Sequence, residues 1–277
     1  MSAGVNRLGL EALTLFGMNP VDHVRLAAEL GCSGVSLTTA SMDLSAFGVA
    51  PLRLYQPWSL SSDAALRAEL RAALADTGLS IALAEGFMVL PDRDVGERAA
   101  DLDMMAGLGA VRVNAISREP DLARAHDQFA ILAGMVVERG MRFMVEFAPT
   151  NMISSLPMAQ AVADHVGDHC GLMFDVMHLI RSGGSFDDIR ALPRGRLGYA
   201  QLCDAPLTSP GMPYMEEAIF HRLVPGEGEL PLAEMLEVLP PDFHVGVEVP
   251  DLTALQKGVT PRAHAARVVN AARALGF

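Results

Sequence analysis

Four polar side chains end apolar runs in the second half of the 277-residue chain. They are Glu146 in FMVEFAP, Asp175 in GLMFDVMH, Gln201 in YAQLCDAP and Glu248 in VGVEVP. Each run reads as a strand, and the strands of one barrel deliver such residues to a single rim. Three carboxylates crowded there repel one another unless a positive charge lies among them. A divalent metal held by Glu146, Asp175, Gln201 and Glu248 resolves that repulsion, and oxygen donors suit Mn2+ or Mg2+ better than a thiol-seeking ion. A single glutamate at a strand end is ordinarily solvated or salt-bridged, but four such groups on four successive strand ends point to a site. Their spacing is about one strand–helix unit each, except for the longer interval before Glu248.

The elements that must position them recur along the whole chain. Strand candidates are RLGLEALTL from Arg7, GVSLTT from Gly34, LSIALAEGF from Leu79 and AVRVNAIS from Ala110. They continue with MRFMVEFAP from Met141, GLMFDVMH from Gly171, LGYAQLCDA from Leu197 and FHVGVEVP from Phe243. Most are apolar on both faces, as parallel strands covered on both sides are. Amphipathic segments alternate with them, started by Asn19-Pro20 or Ser61-Ser62-Asp63 and stopped by Gly31, Gly78 and Gly140. This alternation predicts a single (β/α)8 TIM barrel over residues 1–277, with a doubly wound sheet as the less favoured alternative.

Two connections exceed what a barrel needs, at about 40–62 after strand two and about 205–231 after strand seven. Both follow strand C-termini, so they read as lids or pocket walls, or else as tolerated surface insertions. Tyr55 and Trp58 in the first could stack on a sugar or pack beneath the loop. Glu85 and Asn114 end strands three and four, where each lines the pocket or makes a structural hydrogen bond.

The formal charge of −12 gives no basic footprint, which excludes nucleic-acid and anionic-membrane binding as the main function. Cys32, Cys170 and Cys203 form no CxxC pair, so a reducing cytoplasm is expected rather than a disulfide framework. Glu11 interrupts the first apolar run, which does not read as a signal peptide. FAILAGMVV from Phe129 is too short to span a bilayer.

The motifs VEFAP, FDVMHLIRSGG, YAQLCDAP, VPGEGELP and GVEVP together resemble the xylose-isomerase-like TIM barrels, the sugar phosphate isomerase/epimerase superfamily. The resemblance spans nearly the whole chain. It implies that Glu146 and Glu248 are both metal ligands and the acid/base pair on opposite faces of a substrate. Asp175 resembles the ligand between them, and His178 the histidine that hydrogen-bonds a substrate oxygen. Arg222 resembles an arginine near the substrate, where it could bind a carboxylate, phosphate or polarised oxygen, or instead pair with Glu216, Glu217 or Glu227. At Gln201 the chain departs from the ketose epimerases, which carry a histidine ligand there, and Met152 stands where they have a substrate-binding glutamate. The all-oxygen set places Zn2+ or Co2+ behind Mn2+ or Mg2+.

The resemblance implies a metal-dependent isomerase or epimerase acting through an enediolate on a sugar, sugar acid or related polyhydroxy-carbonyl compound. A metal-dependent lyase or dehydratase on a similar substrate is the alternative, and a non-catalytic ligand-binding barrel is the reading from another class. A nuclease with several zinc ions would need clustered histidines and a basic groove, which this composition lacks. The expected partner is a small carbohydrate-like molecule, and a homodimer or homotetramer is a family-level expectation.

Overall fold

The apolar runs become eight parallel strands in a computed structural model that describes residues 6–42, 55–193 and 195–277. They are β1 (Leu8–Leu10), β2 (Gly34–Leu37), β3 (Ser80–Val89), β4 (Arg112–Ser117), β5 (Arg142–Glu146), β6 (Cys170–Asp175), β7 (Leu197–Leu202) and β8 (Val245–Val247). Each pairs with the next, and β1 closes on β8 through Leu8–Val245, Gly9–Gly246 and Leu10–Val247, so the sheet is a closed barrel without edges.

The helices between and after them are α1 (Pro20–Glu29), α2 (Ala64–Thr77), α3 (Ala99–Gly107), α4 (Leu122–Glu138), α5 (Leu156–Val166) and α6 (Val176–Arg181). There follow α7 (Phe186–Arg190), α8 (Tyr214–Phe220), α9 (Leu232–Val238), α10 (Leu252–Gln256) and α11 (Pro261–Ala274). The stop and start signals act as their chemistry requires. Asn19 caps α1 by accepting from the Val21 amide at 3.0 Å, and Asp63 caps α2 by accepting from Leu66 at 2.9 Å. Gly78 ends α2 with φ of 70°, a left-handed conformation that costs glycine little.

Period-two alternation sorts each strand into two faces. Phe143, Val145, Leu172, Phe174 and Ala200 belong to the main core between sheet and helices. Met144, Met173 and Tyr199 alternate with them and join Ala82 and Leu83 in a separate cluster inside the barrel. Two residues further along, the same inward face presents Glu146, Asp175 and Gln201. The interior is therefore an apolar plug roofed by a polar layer.

Three details depart from the expectation. Strand one is three residues rather than the nine of RLGLEALTL, and Ala12–Leu15 coils into a 3-10 turn. Glu11 thus becomes a strand-end residue, its amide donating to Val247 O at 3.1 Å. Neither Glu85 nor Asn114 ends its strand, because β3 runs on to Val89 and β4 to Ser117. The β3–β4 register shifts between Ala84 and Phe87, and Gly86 there has φ of 83°, so Glu85 sits on a bulge. Of the loop at about 40–62, residues 43–54 lie outside the described residues. Its flanks are zipped by Ser41 N to Trp58 O at 2.9 Å and Leu60 N to Thr39 O at 2.8 Å. Among the described residues, no helix is long and apolar enough to cross a membrane.

Candidate active site

Five carboxylates face the barrel mouth: Glu11, Glu85, Glu146, Asp175 and Glu248. Glu11, Glu85 and Glu248 each offer an oxygen within 4.8 Å of the others. The Gln201 amide nitrogen donates into this cluster, at 3.0 Å to Glu11 and 3.2 Å to both Glu85 and Glu248. Tyr199 donates to Glu11 Oε1 at 2.6 Å, and Ser36 donates to Glu85 Oε2 at 2.5 Å. The space exists because β8 has glycine at position 246, where an added Cβ would meet Glu11 Oε1 at 1.8 Å. Burial pushes the Glu11 and Glu85 carboxyls above the ordinary carboxylate range, and each is raised further by neighbouring negative charge. Burial likewise lifts Glu248 to about 8 against the opposing pull of Arg222.

Arg222 is buried between two of the predicted metal ligands. One guanidinium nitrogen bonds Asp175 Oδ2, and the other lies 3.0 Å from Glu248 Oε2. Of the partners considered for it, Glu217 is buried against Arg181 and Glu227 pairs with Arg267. The other Asp175 oxygen caps α6, accepting from the Met177 and His178 amides at 2.8 and 3.1 Å. Burial alone would raise Asp175, but Arg222, His178 and those hydrogen bonds hold it below the usual aspartate value. Arg222 stays charged for the reciprocal reason.

The second long loop holds Arg222 in place. Asp204, just past β7, accepts from the amides of Ala205 at 2.8 Å, Gly226 at 2.9 Å and Leu230 at 3.1 Å. Its backbone exchanges two hydrogen bonds with Leu223, at 2.9 and 2.8 Å. A Cβ at Gly228 would meet Asp204 Oδ1 at 2.3 Å, so VPGEGELP is a wrapped turn rather than a loose insertion. Arg222 Nε donates to Ala218 O at 2.6 Å, which completes its support.

Glu146 lies on the other side of the mouth. Asn114 donates to its Oε2 at 2.5 Å, and His178 Nε2 is 3.8 Å from its Oε1. Burial, reinforced by Asp175, raises Glu146 to about 7. His178 Nδ1 is 2.5 Å from the Tyr214 hydroxyl, and burial lowers this imidazole to about 4, so it is neutral near pH 7. Tyr214, from the β7 loop, belongs to the site although it was not singled out from sequence. Trp58 does not stack in the mouth; its indole N–H donates to Gly17 O at 3.0 Å and its ring packs on the core.

The structure thus gathers Glu85, Asn114, Glu146, Asp175, His178, Gln201, Arg222 and Glu248 in one layer and adds Glu11, which the Tyr199 hydroxyl reaches from the plug below. Among the described residues, Arg222 is the only lysine or arginine paired with any of the five carboxylates. Charge balance therefore calls for further protons or a cation. The donor set fits a hard cation. The four predicted ligands, Glu146, Asp175, Gln201 and Glu248, all offer oxygen, and Gln201 Oε1 is buried with no hydrogen-bond partner. Sequence reasoning passed over Glu11, although a glutamate inside an otherwise apolar first strand was the available signal.

The chain matches the model of the xylose isomerase-like TIM barrel family over residues 24–270. A comparison with curated protein sequences found no match. Among solved structures, the fold is similar to the IOLI protein with a bound zinc atom, with TM-score 0.76, 16% identity and 97% of each chain covered. It is also similar to D-allulose 3-epimerase from Methylomonas sp. in complex with D-allulose (TM-score 0.69, 14% identity, 98% of this chain and 97% of that one). A third similar structure is the probable 3-DHS dehydratase AsbF from Bacillus anthracis (TM-score 0.68, 14% identity, 94% of this chain and 97% of that one).

Proposed function

The chain belongs to the xylose isomerase-like TIM barrel family, and from that premise we propose that it is a divalent-metal-dependent isomerase or epimerase. Its substrate is a sugar, sugar acid or related polyhydroxy-carbonyl compound. The observation that carries this reading is the buried layer of five carboxylates served by one guanidinium, at the end of the barrel where such folds keep their chemistry.

Glu146 and Glu248 are the proton-transfer groups. They enter from β5 and β8, so a substrate lying between them presents opposite faces to the two. One removes the proton next to the carbonyl and the other returns it. Return to the neighbouring carbon isomerises the substrate; return to the opposite face epimerises it. Asn114 orients Glu146 through its amide. His178, neutral and tied to Tyr214, holds a substrate oxygen with its free ring nitrogen. Arg222 keeps Asp175 ionised and fixes one oxygen of Glu248.

A divalent cation, Mn2+ or Mg2+ in preference to Zn2+ or Co2+, supplies electrophilic stabilisation of the negative charge that develops on the substrate oxygens. Of the ligand set Glu146, Asp175, Gln201 and Glu248, Glu248 contributes an oxygen to the carboxylate cluster and Gln201 reaches it through its amide nitrogen. Both Asp175 oxygens are already occupied by Arg222 and by the α6 amides.

A second reading, a dehydratase on a similar substrate, is favoured by one feature, the glutamine at the β7 position where ketose epimerases carry histidine. Incubation in deuterated water with Mn2+ and a panel of keto-sugars and hydroxy-keto-acids separates the two. Carbon-bound deuterium without loss of a hydroxyl supports proton transfer alone. An unsaturated carbonyl product, seen by its ultraviolet absorbance, establishes the dehydratase and overturns the isomerase. No exchange with any substrate overturns both.

A further inference from the structure

We propose that the foot of the barrel, at the N-terminal ends of its strands, binds a phosphate group through Arg112 and Arg142. This site lies at the opposite pole from the carboxylate layer and stands independently of the proposed reaction.

Both arginines open strands on the inward face. Arg112 is two residues below Asn114 on β4, and Arg142 is two below Met144 on β5. Their Cα atoms are register partners, which sets two positive charges side by side. Like charges so placed destabilise a sheet unless something of opposite sign joins them. Among the described residues, no carboxylate pairs with either, and their hydrogen bonds go to backbone carbonyls. Arg112 Nη1 donates to Ala82 O at 3.4 Å, while Arg142 Nη2 donates to Gly195 O and, at 3.4 Å, to Leu197 O. Arg112 Nε is buried with no partner at all. In a chain of formal charge −12, two adjacent arginines without an acid are an anion's complement.

A cavity of about 580 Å³ lies against them, lined by Arg112, Arg142, Arg190, Glu237, Asp242 and His244. Arg190 is taken up by Asp187, and His244 is neutral near pH 7, lowered to about 4 by burial and then by Arg112. Glu237 and Asp242 are exposed and pair with neither arginine of the foot. The two guanidiniums are held from behind. Arg112 lies 5.7 Å from the centre of the Tyr199 ring, and Arg142 lies over Gly171 and Gly198, where an added Cβ would come within 3.2 and 3.1 Å of it. Burial lowers Arg112 from its ordinary value against the pull of Tyr199, and Arg142 lowers it further. A phosphate answers both needs, because planar guanidiniums match its oxygens and its charge cancels theirs.

The test is binding of inorganic phosphate by the full chain in chelator, read by calorimetry and thermal melting. Sodium chloride at equal ionic strength is the reference. Phosphate is expected to raise the melting temperature above that reference. Arg112→Met and Arg142→Met are each expected to weaken phosphate at least about tenfold, as loss of a hydrogen bond to a charged group does. Without phosphate each variant should melt no lower than wild type, because a repelling neighbour is gone. A phosphate shift no larger than that of chloride overturns the proposal. So does unchanged affinity in Arg142→Met, which decides alone if Arg112→Met fails to fold. Glycerol 3-phosphate binding as tightly as inorganic phosphate supports an esterified ligand at this site, and rejection of the ester supports the free ion there.

Discussion

The amide nitrogen of Gln201 lies 3.0 Å from Glu11 Oε2, although 190 residues separate them in the chain. This contact joins the end of β7 to the end of β1 across β8. The same nitrogen serves Glu85 and Glu248, so one side chain is the shared donor for three acids.

Replacing that donor by Gln201→Leu leaves three buried acceptors facing one another. Stability in chelator is expected to fall by about 1–3 kcal/mol, the cost of unsatisfied buried polar groups. Denaturant unfolding followed by circular dichroism measures it, and an unchanged midpoint would show that the amide is dispensable.

Arg222→Leu strips Asp175 of its buried counter-ion and costs about 3–5 kcal/mol, the usual penalty for orphaning a buried charge. Arg222→Lys recovers only part of this, since a single ammonium cannot span both carboxylates as the planar fork does. Equal stability of the leucine and lysine variants would contradict the bridging geometry.

Gly246→Ala places a methyl group 1.8 Å from Glu11 Oε1 and 2.7 Å from the Tyr199 hydroxyl. Overpacking of this kind costs about 1–3 kcal/mol. A variant that melts like wild type would disprove the crowding.

His23 and His244 are both lowered from 6.5 to about 4, chiefly by burial and, for His244, also by Arg112. A histidine depressed in the folded state contributes stability that is complete above 6.5 and is lost as the pH falls toward 4. For His23, whose Nε2 is hydrogen-bonded to Leu10 O at 3.0 Å, the loss amounts to about 3 kcal/mol across that window. The carboxylates with raised values act in the opposite direction, so the comparison is made between variants. His23→Gln should flatten the decline between pH 6.5 and 4 in denaturant titrations, and an unchanged slope would refute the assignment.

Glu146→Gln keeps the shape of the side chain and the Asn114 contact but cannot accept a proton. Solvent-deuterium exchange is expected to slow by about 10²–10⁴-fold, the typical contribution of a positioned general base. Exchange at the wild-type rate would remove Glu146 from the mechanism. Mn2+ binding measured in parallel shows whether the loss is chemical or a failure to hold the ion.

The barrel was legible because parallel strands buried on both faces leave a recurrent apolar signature, and glycines and capping residues punctuate it. Asp175 was legible for the same reason, as a charge ending such a run. Its other role was hidden, since nothing in FDVMHLIRSGG says that the aspartate caps its own helix and so spends one oxygen. Glu11 was obscured because β1 stops after three residues. The apolar pattern continues through the 3-10 turn, so a strand-end acid looked like an interruption. Glu85 reaches the layer only through a register shift, which alternation cannot reveal. Arg222 found its carboxylates through the loop fold, where its sequence neighbours Glu216, Glu217 and Glu227 were the obvious partners on spacing alone.

Asp204 makes the excursion between β7 and α9 a cassette. By gathering the amides of residues 205, 226 and 230 onto one carboxylate, it clasps both ends of the excursion at the barrel rim. The outermost stretch, 207 to 211, is exposed and lies beyond that clasp. An insertion there would leave the Asp204 clasp, and with it Arg222 on its two acids, in place. The exposed tip of the loop can thus be lengthened without renegotiating the charge balance beneath.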